Sequence, residues 1–413
     1  MFAPAASSAA PAVPDDVYWQ DGFGSPAGLD GVVRAAVVYN GALIVGGDFT
    51  TAGGASANFI ASWDGSSWSA LGFGMDNTVF ALTVFNSQLI AGGGFTTAGG
   101  AAANYIAAWD GSSWSPLGAG MDGWVATLTV FDGQLIAGGS FSSSISAWNG
   151  SSWSALGLGM DNVVFALTPF NSRLIAGGYF TTAGGVPANR VAAWDGASWS
   201  ALGTGENDGI YALTVFNSQL IAGGLFTTAG GVSADRVAAW DGSLWSALGT
   251  GMEADVDVLT VHNAQLFAGG FFVSAGGAAA NYIASWDGST WSALGSGMNN
   301  NVSALTVFNA QLIAGGGFTT AGDKSSAHVA VWTKSACSCP SQADLNADTF
   351  IDAVDLAVEI DIVFFGAPDV QDPACPTTRG DFNGDGVADA VDLALLIDHV
   401  FFGGPGPVDP CAP

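Results

Sequence analysis

The sequence predicts an all-β seven-bladed β-propeller followed by a small α-helical, EF-hand-like C-terminal domain. Three observations carry that prediction. A hydrophobic-Gly-Gly phrase recurs at Gly46-Gly47, Gly92-Gly93, Gly138-Gly139, Gly177-Gly178, Gly223-Gly224, Gly269-Gly270 and Gly315-Gly316, in steps of 46, 46, 39, 46, 46 and 46 residues. Each copy divides into four short apolar runs separated by turn residues, the content of one propeller blade. After the repeat stops, two acidic loops follow, each running into an apolar segment.

Taken in order, residues 1–15 are Ala- and Pro-rich and lack both a basic start and a firm apolar centre, so they read as a flexible leader or the remnant of a trimmed one. The stretch "DVYWQDGFGSPAGLDG" (16–31) places Trp19 where other units have Trp68 and Trp114. The seventh unit stops after its third run, "HVAVW" (328–332). An N-terminal strand over 16–22 is therefore expected to complete the last blade and close a propeller spanning 16–334. An open solenoid would have no use for such a permuted fragment and would need capping units.

Within a unit such as "TVFALTVFNSQLIAGGGFTTAGGAAANYIAAWDGSSWSPLGAGMDG" (78–123), the first two strands flank Asn86-Ser87. Asn40-Gly41 and Asp132-Gly133 hold the same place in other units, and Asn-Gly and Asp-Gly are strong hairpin signals because both residues accept positive φ. A second turn, Asp110-Gly111, joins the last two strands. Asp64, Asp110, Asp195, Asp241 and Asp287 thus read as turn formers, not catalytic acids. Trp63, Trp68 and their equivalents read as blade core. The first strand is apolar on both alternating faces, which predicts packing between two neighbours. The third unit lacks seven residues of its second-to-third loop, which predicts a notch in the rim.

Seven internal copies show which positions the blade dictates. Variation concentrates in three series: Arg34, Phe80, Ala126, Phe165, Tyr211, Asp257 and Ser303 in the first strand; Asp48, Gly94, Ser140, Tyr179, Leu225, Phe271 and Gly317 after Gly-Gly; and Phe59, Tyr105, Arg190, Arg236, Tyr282 and His328 at the third strand. The topology sends all three to one mouth of the central channel. Arg34, Asp48, Phe80, Phe165, Tyr179, Tyr211, Asp257 and Phe271 are the candidate ligand-binding residues, of the types that make binding hot spots. Drift at exposed positions would produce the same variation.

The strand-terminal Gly-Gly, followed by an aromatic residue and a Trp across a turn as in Trp109 and Trp114, resembles kelch and galactose-oxidase-type propellers. It is closer still to secreted bacterial propellers built of "LIAGGxFTTAGG…WDGSSW" repeats. The resemblance covers 16–334 and implies architecture more than activity. Galactose oxidases use copper, a cysteine-linked tyrosine and histidines, but this stretch has no cysteine and holds only His262 and His328. The "WDGSSW" turn is reminiscent of the Asp-box turn of sialidases, which clamp a carboxylate with several arginines. Here the propeller's arginines are Arg34, Arg173, Arg190 and Arg236, and Arg173 sits at a turn.

After a linker at 335–343, "DLNADTFIDAVD" (344–355) and "DFNGDGVADAVD" (381–392) carry oxygen-bearing residues at loop positions 1, 3, 5, 9 and 12. That spacing wraps a chain around a hard divalent cation needing six to eight oxygens. The pair, within a domain over 344–413, resembles a type I dockerin. The resemblance implies Ca2+ ligands at Asp344, Asn346, Asp348, Asp352 and Asp355 and at Asp381, Asn383, Asp385, Asp389 and Asp392, with the carbonyls of Phe350 and Val387. It also implies a cohesin-like protein partner. Thr349 stands where the second loop has Gly386; a β-branched residue disfavours the positive φ of that turn, so the first site is expected to be weaker.

Composition bounds the function. Net charge is −28, with only seven Lys+Arg, which argues against nucleic acid and against anionic lipid held by charge. No apolar run is long enough for a membrane span. Cys337, Cys339, Cys375 and Cys411 all lie in the last 77 residues, after the propeller, and allow three pairings. Millimolar calcium, oxidisable cysteines and scarce lysines fit an extracellular, monomeric binding or scaffold protein, taking a glycan or peptide at the mouth. The rival readings are a secreted carbohydrate-active enzyme using Arg34, Asp48 and Asp257, and a structural surface component.

Overall fold

In the computed structural model the repeats form seven four-stranded antiparallel sheets. Residues 14–20, 23 and 28–334 are described, together with Leu393 and Ile397. The chain divides into two units, Met1–Thr333 and Lys334–Pro413. All the candidate Ca2+ ligands from Asp344 to Asp392, the four cysteines, the 335–343 linker and most of the leader lie outside the described residues.

Blade 1 comprises Val33–Tyr39, Ala42–Gly47, Ile60–Trp63 and Trp68–Ala70. The other blades repeat this order. The first hairpin turns on two left-handed residues, such as Asn86 (φ 47) and Ser87 (φ 61), the conformation that matches strand twist. Second strands are buried almost throughout, but first strands are not: Val79–Phe85 alternates buried and half-buried positions. The first strand packs between the first strands of the two neighbouring blades, as the sequence predicts, yet its burial is only partial. That strand borders the channel, and it is the second strand that has a sheet neighbour on each side and a blade on each face.

The Gly-Gly phrase is a packing device. A Cβ on Gly46 would lie 2.5 Å from Cγ1 of Val79 in the next blade, and one on Gly47 would lie 2.0 Å from the Val32 carbonyl oxygen of its own. The first glycine thus lets a neighbouring valine approach, and the second lets the first strand close on its partner. The same contact joins the ends of the ring, where a Cβ on Gly315 would meet Val33 at 2.5 Å.

Tryptophan is the second inter-blade link. The Trp114 indole N–H donates to Leu71 O of the preceding unit at 2.9 Å, and Trp199 and Trp291 donate to Leu156 and Leu248 at the same distance. Trp19 does likewise to Leu294 at 2.9 Å, 275 residues away. It pairs with Trp332, and Gln20 with Val331, so the N-terminus supplies the fourth strand of blade 7. Among the described residues that strand is Trp19–Gln20; it does not begin at residue 16 as expected, because Pro14–Tyr18 is a 3-10 turn, and residues 21–22 lie outside the described residues. Asp16 is drawn aside to accept the Ser296 amide at 2.6 Å, and Lys324 Nζ donates to the carbonyls of Asp16 (3.1 Å), Val17 (3.3 Å) and Trp19.

Between the second and third strands, six blades carry a small two-stranded hairpin such as Thr97–Ala98 with Ala101–Ala102. Blade 3 passes from Gln134–Ser140 to Ile145–Trp148 without one, as its shorter loop requires.

Candidate functional site

The first strand of every blade carries a bulge at one place. Val33 pairs with Gly47 and Ala35 with Gly46, leaving Arg34 as the extra residue. Phe80, Ala126, Phe165, Tyr211, Asp257 and Ser303 are the extra residues of the other blades. A bulged residue leaves the ladder and its side chain is re-aimed. All seven line one cavity of about 720 Å3 at the channel mouth. The variable first-strand series is thus the bulge series, and the bulge is why the blade does not dictate its identity.

One side of the cavity is an aromatic arc. Phe80 and Trp124 stand 5.9 Å apart, Trp124 and Phe165 5.9 Å, and Phe165 and Tyr211 5.3 Å between ring centroids. Tyr179 packs edge-on to Phe165 at 5.6 Å and shares a 2.7 Å hydroxyl hydrogen bond with Tyr211. Burial and that bond hold the Tyr211 phenol well above its ordinary pKa.

The other side is charged. Arg34 Nε donates to Asp48 at 2.5 Å, and its guanidinium lies 5.9 Å from the Phe80 ring centre. Thr78 Oγ1 also donates to Asp48. On blade 6, Asp255 and Asp257 face the cavity with no ion-pair partner among the described residues. Burial, reinforced by Asp255 and partly offset by Arg34, pushes the Asp257 carboxyl up to about 7. Burial also raises Asp255, with Asp208 adding to the shift and Arg236 opposing it.

Of the eight candidate residues, Arg34, Phe80, Phe165, Tyr211, Asp257 and Phe271 line the cavity directly. Asp48 and Tyr179 are bonded to Arg34 and Tyr211. The third-strand series behaves differently: only Tyr105 of its members lines the cavity. These residues sit just before the strand with positive φ, 63 for Phe59 and 65 for Tyr105. Arg190 Nη1 turns back to the Tyr179 carbonyl at 2.5 Å, and Arg236 caps that of Leu225.

Sequence reasoning missed Trp124 and Asp255. Both belong to a fourth series, immediately before the strand's leading apolar residue: Val32, Thr78, Trp124, Val163, Gly209, Asp255 and Asn301. That series varies as much as the other three and was open to the same comparison. On the turns, Asp110 accepts the Ser112 and Ser113 amides at 2.8 Å each, which holds its carboxyl down at about 2. That is the geometry of a turn former.

No family model matches the chain, and no curated protein does. Solved structures do. The extracellular domain of a one-component system from B. thetaiotaomicron matches with a TM-score of 0.52 and 10% identity, over 76% of this chain and 39% of that one. The WD40 repeats of RRP9 match with a TM-score of 0.50 and 13% identity, over 76% of this chain and 98% of that one. The protein is a seven-bladed β-propeller over its described repeats. No helix among the described residues is long and apolar enough to cross a membrane.

Proposed function

We propose that this is an extracellular binding or scaffold protein of the kelch-like secreted type, taking a ligand at the channel mouth. One observation carries the reading: the seven residues freed from the ladder by bulges converge on one cavity of about 720 Å3, the size of a small-ligand site. Aromatic faces beside hydrogen-bonding carboxylates suit a sugar or a peptide. The test is a glycan and peptide array, followed by titration of any hit against Ala126→Trp. That substitution fills the mouth from a bulge position. It is expected to abolish binding while changing stability by no more than about 0.5 kcal/mol. It is cleaner than truncating Phe165 or Tyr211, whose rings brace their neighbours and whose loss would also weaken the fold by about 0.5–1.5 kcal/mol. Undiminished binding by Ala126→Trp would overturn the reading.

The C-terminal domain extends the proposal. Its two loops, from Asp344 to Asp355 and from Asp381 to Asp392, would hold Ca2+ and present the domain to a cohesin-like protein. Asp392→Ala is expected to remove the tighter calcium-binding event in calorimetry and Asp355→Ala the weaker, since Gly386 permits the loop turn that Thr349 opposes. Two indistinguishable events would count against this assignment.

A second reading, glycoside hydrolysis, is favoured by Asp257, whose carboxyl near 7 suits a proton donor. It requires a second carboxylate across the scissile bond. Asp255 is on the same strand edge and Asp48 is engaged by Arg34. The binding reading needs no such partner.

A further inference from the structure

We propose that the ligand of this mouth carries a guanidinium head on an apolar stem, the chemistry of an arginine side chain, seated between Asp255 and Asp257 and the aromatic arc. The inference rests on the mouth being the ligand site and adds the chemical class. The mouth already contains one such arrangement: Arg34 lies between the Asp48 carboxylate and the Phe80 ring. A planar guanidinium suits that combination, because it pairs with carboxylates through a fixed fork of donors and stacks on aromatic faces. On blade 6, beside the blade of Tyr211, the same elements recur without the cation. Asp255 and Asp257 supply carboxylates, and Tyr211 and Phe165 supply aromatic surface.

The cations among the described residues do not fill that place. Arg34 acts on Asp257 only from a distance, being held by Asp48. Arg236 acts on Asp255 from a distance, with Nη1 held by the Leu225 carbonyl. The remaining groups that face the pair are Asp208, which adds negative charge beside Asp255, and Tyr211, which stays neutral. The pair therefore lacks a counter-ion in a partly desolvated cavity, where a charge-assisted contact is strongest.

The test is calorimetric titration of the full chain, in calcium, with Nα-acetyl-arginine amide and with its neutral isostere Nα-acetyl-citrulline amide. The arginine probe is expected to bind and the citrulline probe to bind at least about tenfold more weakly. A cationic ligand favours the ionised form of Asp257, so affinity is full above the pKa of the empty site, about 7, and falls as pH drops through it. Between pH 8.5 and 5.5 the loss is expected to be about 30-fold. Asp257→Asn should remove both the preference and most of the pH dependence, Asp255→Asn should weaken the preference, and neither variant should melt below the parent, since each removes a carboxyl whose pKa burial raises. Equal affinity for the two probes, or no binding by either, overturns the inference. If an array hit is then still blocked by Ala126→Trp, the mouth remains the site and only the ligand class is wrong. Arginine binding that ignores Ala126→Trp overturns the placement as well.

Discussion

Trp19→Ala is expected to destabilise the propeller by about 3–5 kcal/mol, the usual effect of truncating a fully buried aromatic side chain. Trp19 is 0% exposed. Its ring packs 4.8 Å from that of Trp332, and its indole N–H donates to Leu294. Among the described residues no other indole N–H donates from blade 7 to the preceding blade. Deleting residues 1–31 goes further. It removes the fourth strand and leaves Val329–Trp332 as an unpaired, apolar edge, an invitation to association through strand addition. Urea denaturation of the point variant and light scattering of the truncated chain are the measurements. A truncated protein that stays monomeric with an unchanged melting temperature would show that the ring does not depend on this strand.

Glu206→Met is expected to stabilise the protein at neutral pH by about 1–3 kcal/mol, the usual penalty for a buried polar group without a partner. Glu206 pairs with Ala229 where Met75, Met160, Met252 and Met298 pair with the equivalent alanines of other blades. It is 3% exposed, and neither carboxyl oxygen has a hydrogen-bond partner. Burial pushes its pKa well above the ordinary value, so the folded protein keeps the proton. The unfolded chain releases it above about 4.3. The unfolded state then binds fewer protons, and stability falls as pH rises from there toward the folded-state pKa. The pH-dependent part of the penalty is absent below the unfolded value and grows above it. Urea denaturation of both proteins across that range should show their difference widening with pH. A constant difference, or a less stable variant, would refute the assignment.

Much of the architecture is legible in the residues because it is local chemistry repeated. Asn40-Gly41 and Asp132-Gly133 accept left-handed backbone, so they announce hairpins. The Gly-Gly spacing counts blades, and the lone Trp19 reveals where the ring closes. Internal copies also exposed the residues the fold leaves free, which located Arg34, Phe80, Phe165, Tyr211 and Asp257 without any structure.

What the tertiary structure decided depends on how strands pair and which groups meet, within a blade and between blades. The bulge that releases Arg34 and its equivalents leaves no mark in the hydrophobic pattern, since it changes pairing and not composition. Arg190 and Arg236, charged and variable, look like mouth residues in sequence, yet positive φ and a nearby carbonyl turn them aside. Trp124 and Asp255 read as linker residues until closure of the ring sets them beside Phe165 and Asp257. Glu206 lies in a polar-looking loop, "TGENDG", and only the approach of the neighbouring hairpin buries it. Turn chemistry is settled within a few residues, whereas burial and side-chain direction in a ring are settled by the adjacent blade.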